Sequence, residues 1–238
     1  MKIVTNHKLI AKNKKIGTYL TIGSLVVLGG GLVASFNQEL LTWSFVALFF
    51  GFIISQLGIY YGSRWGRSPR MDEKLAAGLK GMGDQYTLYN YSTDVSHLLA
   101  GPAGIWVLLP YYQAGKITYD EKRGKWKQKG GNLYMKIFAQ ESLGRPDLDA
   151  KTAMAGAQKF LAQYSSTIEL PEPKAALIFT NEKAVVECDN APLATLAGND
   201  MKDFFRRIAK ETPAPLESMR ALQKMLPSEK DYEEEKKK

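Results

Sequence analysis

Val95-Ser96-His97-Leu98-Leu99-Ala100-Gly101-Pro102-Ala103-Gly104-Ile105-Trp106-Val107-Leu108-Leu109 is two apolar runs folded about a glycine–proline turn. Val95 to Ala100 is short, and Ile105 to Leu109 is the unbroken apolar run expected of a strand covered on both faces of a sheet. Gly101-Pro102-Ala103-Gly104 joins them as a tight turn, which predicts an antiparallel hairpin.

The flanking sequence builds a layered α/β fold outward from that hairpin. Gln85 to Tyr91 alternates as a strand, and Met71 to Met82 places Leu75, Leu79 and Met82 on one helical face before Gly81 and Gly83 stop it. Downstream, Lys116–Tyr119 and Lys125–Lys127 flank Asp120-Glu121-Lys122-Arg123-Gly124 and predict a second, more polar hairpin. Asp147 to Tyr164 reads as a helix through Met154, Ala157, Leu161 and Tyr164, and Lys174–Thr180 and Ala184–Cys188 resume the strand pattern. Asn199 caps a helix to Lys210 that buries Met201, Phe204, Phe205 and Ile208; Leu216, Met219, Leu222 and Leu226 mark the last one. Helix, three strands, helix, two strands and helix predict a mixed sheet flanked by helices, with no internal repeat.

The amino-terminal quarter is different in kind. Ile16 to Phe36 runs 21 residues and Leu40 to Gly62 runs 23 without a charged side chain, and about 20 apolar residues suffice to cross a bilayer core. Asn37-Gln38-Glu39 leaves room only for a tight turn, so the two spans predict an antiparallel hairpin. Lys2, Lys8, Lys12, Lys14 and Lys15 before it and Arg64, Arg67 and Arg70 after it predict that both ends face the cytoplasm, a layout suited to a bacterial inner membrane. Gly30/Ala34, Gly31/Ser35, Gly51/Ser55 and Gly58/Gly62 put small residues four apart, which permits close helix contact. A basic start and Leu32-Val33-Ala34 also fit a signal peptide, but the apolar run is long for one and a second span follows at once. Neither span holds an Asp, Glu, Lys, Arg or His, which argues against transport or proton relay.

Composition excludes more than it proves. One cysteine, Cys188, rules out an internal disulfide or a cysteine-built zinc site, and two histidines rule out a histidine-rich metal centre. Of the net charge of +8, half lies in residues 1–62, which weakens any inference from the basic pI to nucleic acid. No phosphate-binding loop, nucleophile elbow or cofactor motif is present, and Gly29-Gly30-Gly31 lies inside a span.

The run from Asp94 to Ile117, with Ser96-His97, Gly101-Pro102-Ala103-Gly104 and Gly115-Lys116-Ile117, resembles the core of the nuclease-related domain family of the restriction-endonuclease-like superfamily. That resemblance implies a restriction-endonuclease-like fold over roughly residues 71–210. It also implies a degenerate site: the family's metal-binding Asp falls at Ser96, its Glu at Leu109 and its Lys at Tyr111. Leucine offers a metal no oxygen and tyrosine is neutral near pH 7, so the resemblance carries no catalytic residue, metal or cofactor. His97 matches the family histidine, and a lone histidine on a strand is more often structural than catalytic.

The expected organisation is a basic cytoplasmic stretch (1–15), the membrane hairpin (16–62), a linker (63–70), the α/β domain (71–226) and a charged, disordered tail (227–238). The expected function is a membrane-tethered, inactive nuclease-related module that binds or scaffolds. The alternative is a metal-dependent nuclease with a relocated site among Asp72, Glu73, Asp94, Asp120 and Glu141. Binding candidates are Lys116, Lys122, Arg123, Lys125, Trp126, Lys127 and Lys129, within a basic segment reaching Lys136 that also holds Tyr119 and Tyr134. Nucleic acid fits through phosphate contacts and stacking, anionic lipid through charge alone, and a protein partner stays open. An ordinary solvated hairpin fits the same composition.

Overall fold

The computed structural model describes residues 1–130, 143–165 and 167–233. The chain forms two compact units, one of residues 7–70 and one of residues 1–6 with everything from residue 71 onward.

Residues 7–70 form the helical unit. Helix α1 (His7–Ala34) and helix α2 (Leu41–Tyr61) are joined by a 3-10 turn at Gln38–Leu40, where the Asn37 side chain accepts a hydrogen bond from the Glu39 amide. Both helices are long and apolar enough to cross a membrane. Val26, Val33, Trp43 and Phe45 are about two-thirds exposed (69%, 71%, 69% and 65%), a display of apolar surface that water would penalise and hydrocarbon would not. The antiparallel seam is built from small residues seven apart: Gly17, Ser24 and Gly31 on α1, Ser44, Gly51 and Gly58 on α2. A seven-residue repeat keeps one face turned to a supercoiling partner. A Cβ at Gly51 would sit 2.8 Å from Leu28 Cδ2, and one at Gly58 2.8 Å from Thr21 Oγ1. The Ser44 hydroxyl donates across the seam to the Gly31 carbonyl at 2.7 Å. The four-residue pairs in the sequence therefore name only part of this contact: Gly31, Gly51 and Gly58 lie in it, whereas Gly30 and Gly62 face open space.

The other unit is a mixed α/β structure with helices on a mixed sheet. Strand β1 (Lys2–Thr5) pairs parallel with β2 (Thr87–Asn90), which lies antiparallel to β3 (His97–Gly101). Strand β4 (Gly104–Tyr111) turns back on β3 with Leu98 opposite Val107, as the central hairpin predicts. Gly104 adopts φ +95° in that turn, and a Cβ at Gly101 would strike the Tyr86 ring, so both glycines are required there. Strands β7 (Lys174–Phe179) and β9 (Ala194–Ala197) continue parallel to β4, giving the order β1-β2-β3-β4-β7-β9. Only β3 runs against the rest, so the carboxyl ends of five strands share one sheet edge.

Side chains alternate between the two faces with the period of two that a strand imposes. Trp106 and Leu108 meet Leu75 and Leu79 in and just after α3 (Met71–Gly78), and Met201 and Phe205 of α5 (Met201–Glu211). Ile105 and Val107 meet Ala157, Phe160 and Leu161 of α4 (Pro146–Ala162), and Met219 and Leu222 of α6 (Leu216–Met225). A second sheet, ordered β6-β5-β8, comprises β5 (Gly115–Asp120), β6 (Lys125–Lys129) and β8 (Ala184–Glu187). Its inner face sets Ile117 and Trp126 in a core with Cys188, Ala150, Leu177 and Phe179.

Three expectations change. Residues 2–5 are not merely basic flank but an edge strand, with Val4 buried and its carbonyl accepting from Ser92 Oγ at 3.3 Å. The α/β unit does not end at residue 226: Leu226 is buried, a short helix α7 (Lys230–Glu233) follows, and the Tyr232 hydroxyl donates to the Ser92 carbonyl at 3.2 Å. Strand β8 belongs to the small sheet, and β9, which the sequence pattern does not announce, lies beside β7. Asn199 lies in a 3-10 turn, Gly198–Asp200, that leads into α5, and no side-chain cap bond begins that helix.

Candidate functional site

In open α/β sheets, ligand sites form outside the carboxyl ends of the strands, and Ser96, Leu109 and Tyr111, the positions singled out by the resemblance, all lie at that edge. Ser96 is exposed just before β3, and its carbonyl accepts the Tyr91 amide at 2.8 Å. Leu109 and Tyr111, two residues apart on β4, point to the α4 side, where Leu109 packs into the core. The Tyr111 ring stacks on Phe179 at 5.4 Å, and its hydroxyl donates to Asp149 Oδ2 at 2.8 Å. Burial, reinforced by Asp149, pushes the Tyr111 phenol far above its ordinary pKa. It is therefore a fixed donor and not a base.

The loops after β4 and β7 close this edge. Thr180 donates to the Tyr111 carbonyl from both its amide (2.8 Å) and its hydroxyl (3.2 Å), and the Asn181 side-chain amide donates to the Tyr112 carbonyl at 3.0 Å. Lys74 Nζ stands 3.8 Å from the centre of the Tyr112 ring; burial lowers its pKa and Glu182 partly opposes that. A concavity of about 410 Å³ lies away from this edge, lined by Met1–Val4, Thr87, Tyr89, Gln223 and Pro227–Glu229.

His97 is buried, its Nδ1 2.9 Å from the Asn90 side-chain oxygen, so Nδ1 donates; its ring meets Tyr91 edge-on at 4.8 Å. Asn90 also donates to Thr5 Oγ1 at 3.4 Å, and Tyr91 holds the left-handed φ of +55°. The histidine thus helps lock β1, β2 and β3 together. Among the described residues, no group of three or more His, Cys, Asp or Glu gathers to hold a metal ion. The candidate carboxylates are dispersed: Asp72 is buried in the first turn of α3, Asp94 is exposed, and Asp120 pairs with Lys127. Glu141, Tyr134 and Lys136 lie outside the described residues.

The basic candidates do assemble on one surface. Strand register places Lys116 opposite Lys129, Thr118 opposite Lys127 and Asp120 opposite Lys125, all on the outer face of the small sheet. Lys122 and Arg123 are exposed at the hairpin tip. Lys116 pairs with Glu187 at 2.6 Å, and Lys127 holds the Asp120 carboxyl below the usual range, with the Arg123 amide also donating to it. Trp126 does not belong with them: it is 7% exposed, its ring lies 4.8 Å from Tyr119, and its Nε1 donates to Thr195 Oγ1 at 3.1 Å. The alternation in Lys125-Trp126-Lys127-Gln128-Lys129 turns the lysines outward and the tryptophan in. Asp149, Phe179 and the Asn90–Thr5 pair went unread in the sequence; Pro146-Asp147-Leu148-Asp149, acidic in the first helical turn, was the one available signal.

The chain matches no protein-family model, no curated protein and no solved structure.

Proposed function

We propose that this protein is a membrane-anchored, non-catalytic binding module with a nuclease-related, restriction-endonuclease-like α/β unit on the cytoplasmic membrane face. The observation that carries the reading is Tyr111. Where the resemblance puts the family's lysine, a half-buried phenol stacks on Phe179 and donates to Asp149. Leu109, at the position of the metal-binding Glu, packs partly buried against the core. Residues that would have bound metal and water have become packing, which preserves the sheet at the expense of the chemistry. The basic flanks on both sides of the two long apolar helices support a hairpin with the α/β unit inside. The outer face of the small sheet supports a polyanionic partner.

The test is incubation of the purified full-length chain in detergent with labelled single- and double-stranded DNA and RNA, in Mg²⁺, Mn²⁺ or EDTA. No metal-dependent cleavage is expected. Cleavage that requires Mg²⁺ or Mn²⁺ and survives Tyr111→Phe would overturn the reading in favour of a relocated nuclease site.

A further inference from the structure

The partner of the lysine-bearing sheet face follows from what that face holds and what it lacks. Lys125, Lys127 and Lys129 occupy alternate positions of β6, about 7 Å apart, with Lys116 beside them on β5. Val185 of β8, in register with Lys116, is 55% exposed on the same face. A flat sheet surface of amines with an apolar residue among them suits phosphate headgroups above a hydrocarbon boundary. Single-stranded nucleic acid asks for something else, because stacking platforms supply much of its affinity. The aromatic residues of this hairpin do not supply one: Trp126 is buried, and the Tyr119 and Trp126 rings engage each other.

We infer that the outer face of the β6-β5-β8 sheet docks on the anionic surface of a lipid bilayer. This rests on the reading of the protein as a membrane-anchored binding module, and it names the partner. Asp120 and Glu187, ion-paired with Lys127 and Lys116, hold those two lysines in place on the face; Lys125, Lys129, Lys122 and Arg123 extend the positive field around them. Each basic side chain held at an anionic membrane surface favours the docked state about fivefold, and the effect is screened by salt.

The experiment places the full-length chain in nanodiscs of phosphatidylcholine alone or of an equal mixture with phosphatidylglycerol. Exposed lysines are labelled with a water-soluble acylating reagent and read by peptide mass spectrometry. Lys125, Lys127 and Lys129 are expected to react severalfold more slowly in the anionic discs, with the protection lost in roughly 1 M salt, where the Debye length is about 3 Å. Lys210 and Lys224, exposed on α5 and α6, are expected to react alike in both. In a Lys125→Gln/Lys129→Gln variant, the docking equilibrium is expected to fall by about fivefold for each lysine removed, so that Lys127 reacts at nearly the same rate in both lipid compositions. Equal reaction of the three lysines in both lipid compositions overturns the proposal. Protection conferred by added DNA or RNA in phosphatidylcholine discs, with none from phosphatidylglycerol, also overturns it and reassigns the face to nucleic acid, leaving the non-catalytic binding role intact. Metal-dependent cleavage in a parallel sample defeats that role instead, and the lipid proposal is then decided by the labelling alone.

Discussion

A phenol that stays protonated can donate a hydrogen bond but cannot take up a proton, and on the proposed reading this property of Tyr111 separates the site from a hydrolytic one. The same property makes it a source of pH-dependent stability. Burial raises the pKa of Tyr111 well above its ordinary value and pushes that of Tyr89 up to about 12. An acid whose folded pKa is raised contributes stability that is complete below its unfolded pKa, about 10, and is lost as pH climbs from there toward the folded value. The α/β unit should therefore weaken above about pH 10, and Tyr111→Phe should make that alkaline loss shallower. At neutral pH the same substitution removes one hydrogen bond to an exposed carboxylate and should cost about 1 kcal/mol. Thermal unfolding of both chains from pH 7 to 11 checks this; an unchanged alkaline slope would mean the phenol ionises freely in the fold. The sequence shows Leu109 and Tyr111 where the resemblance would place a Glu and a Lys, but not what those two side chains pack against. Asp149 lies 38 residues from Tyr111 along the chain, and only the packing of α4 on β4 brings the two together.

Elements were legible where the local signal was complete. Gly101-Pro102-Ala103-Gly104 sets the turn and apolar runs set both strands, so the β3–β4 hairpin follows from about fifteen residues of local pattern. Strand β1 has four residues, begins with Lys2 and runs into a lysine-rich helix, so its strand character shows only once β2 pairs with it. Strand β9 is Ala-Thr-Leu-Ala, whose small side chains carry little propensity, and it forms because β7 offers an edge. The two long apolar helices were legible from their length, whereas their seam was not: glycine is common enough in such helices that spacing alone does not say which glycines touch. Geometry separates them. Gly51→Leu drives a side chain into Leu28 and should destabilise the helix pair by about 1–3 kcal/mol, whereas Gly30→Leu faces open space and should be close to neutral. Thermal denaturation of the two variants in detergent distinguishes them; equal effects would contradict the seven-residue seam.

For the whole molecule, the segment of residues 7–70 is inserted in the chain between the first strand of the α/β unit and its first helix. Residues on both sides of the apolar pair thus contribute to one folded unit. That organisation agrees with the basic flanks, since a sheet made from both ends of the segment forms only when both ends lie on the same side of a bilayer. The charge pattern predicts that orientation from sequence, while the shared fold of residues 1–6 and 71 onward needed the structure. The chain is also suited to its own test, because its one native thiol, Cys188, is buried, hydrogen-bonded to the Ile117 carbonyl, and pushed by burial to a pKa of about 11.

Labelling of Glu39→Cys and Asp94→Cys variants by a membrane-impermeant maleimide tests most directly the proposed two-span anchor with its α/β unit on the cytoplasmic side. Glu39 lies in the turn between the helices and Asp94 in the exposed loop before β3. The expected result in intact bacterial cells, stripped of any outer barrier, is that Glu39→Cys labels at once, Asp94→Cys labels only after permeabilisation, and the unsubstituted chain labels in neither condition. Labelling of both variants from the same side of the membrane would contradict the two-span anchor.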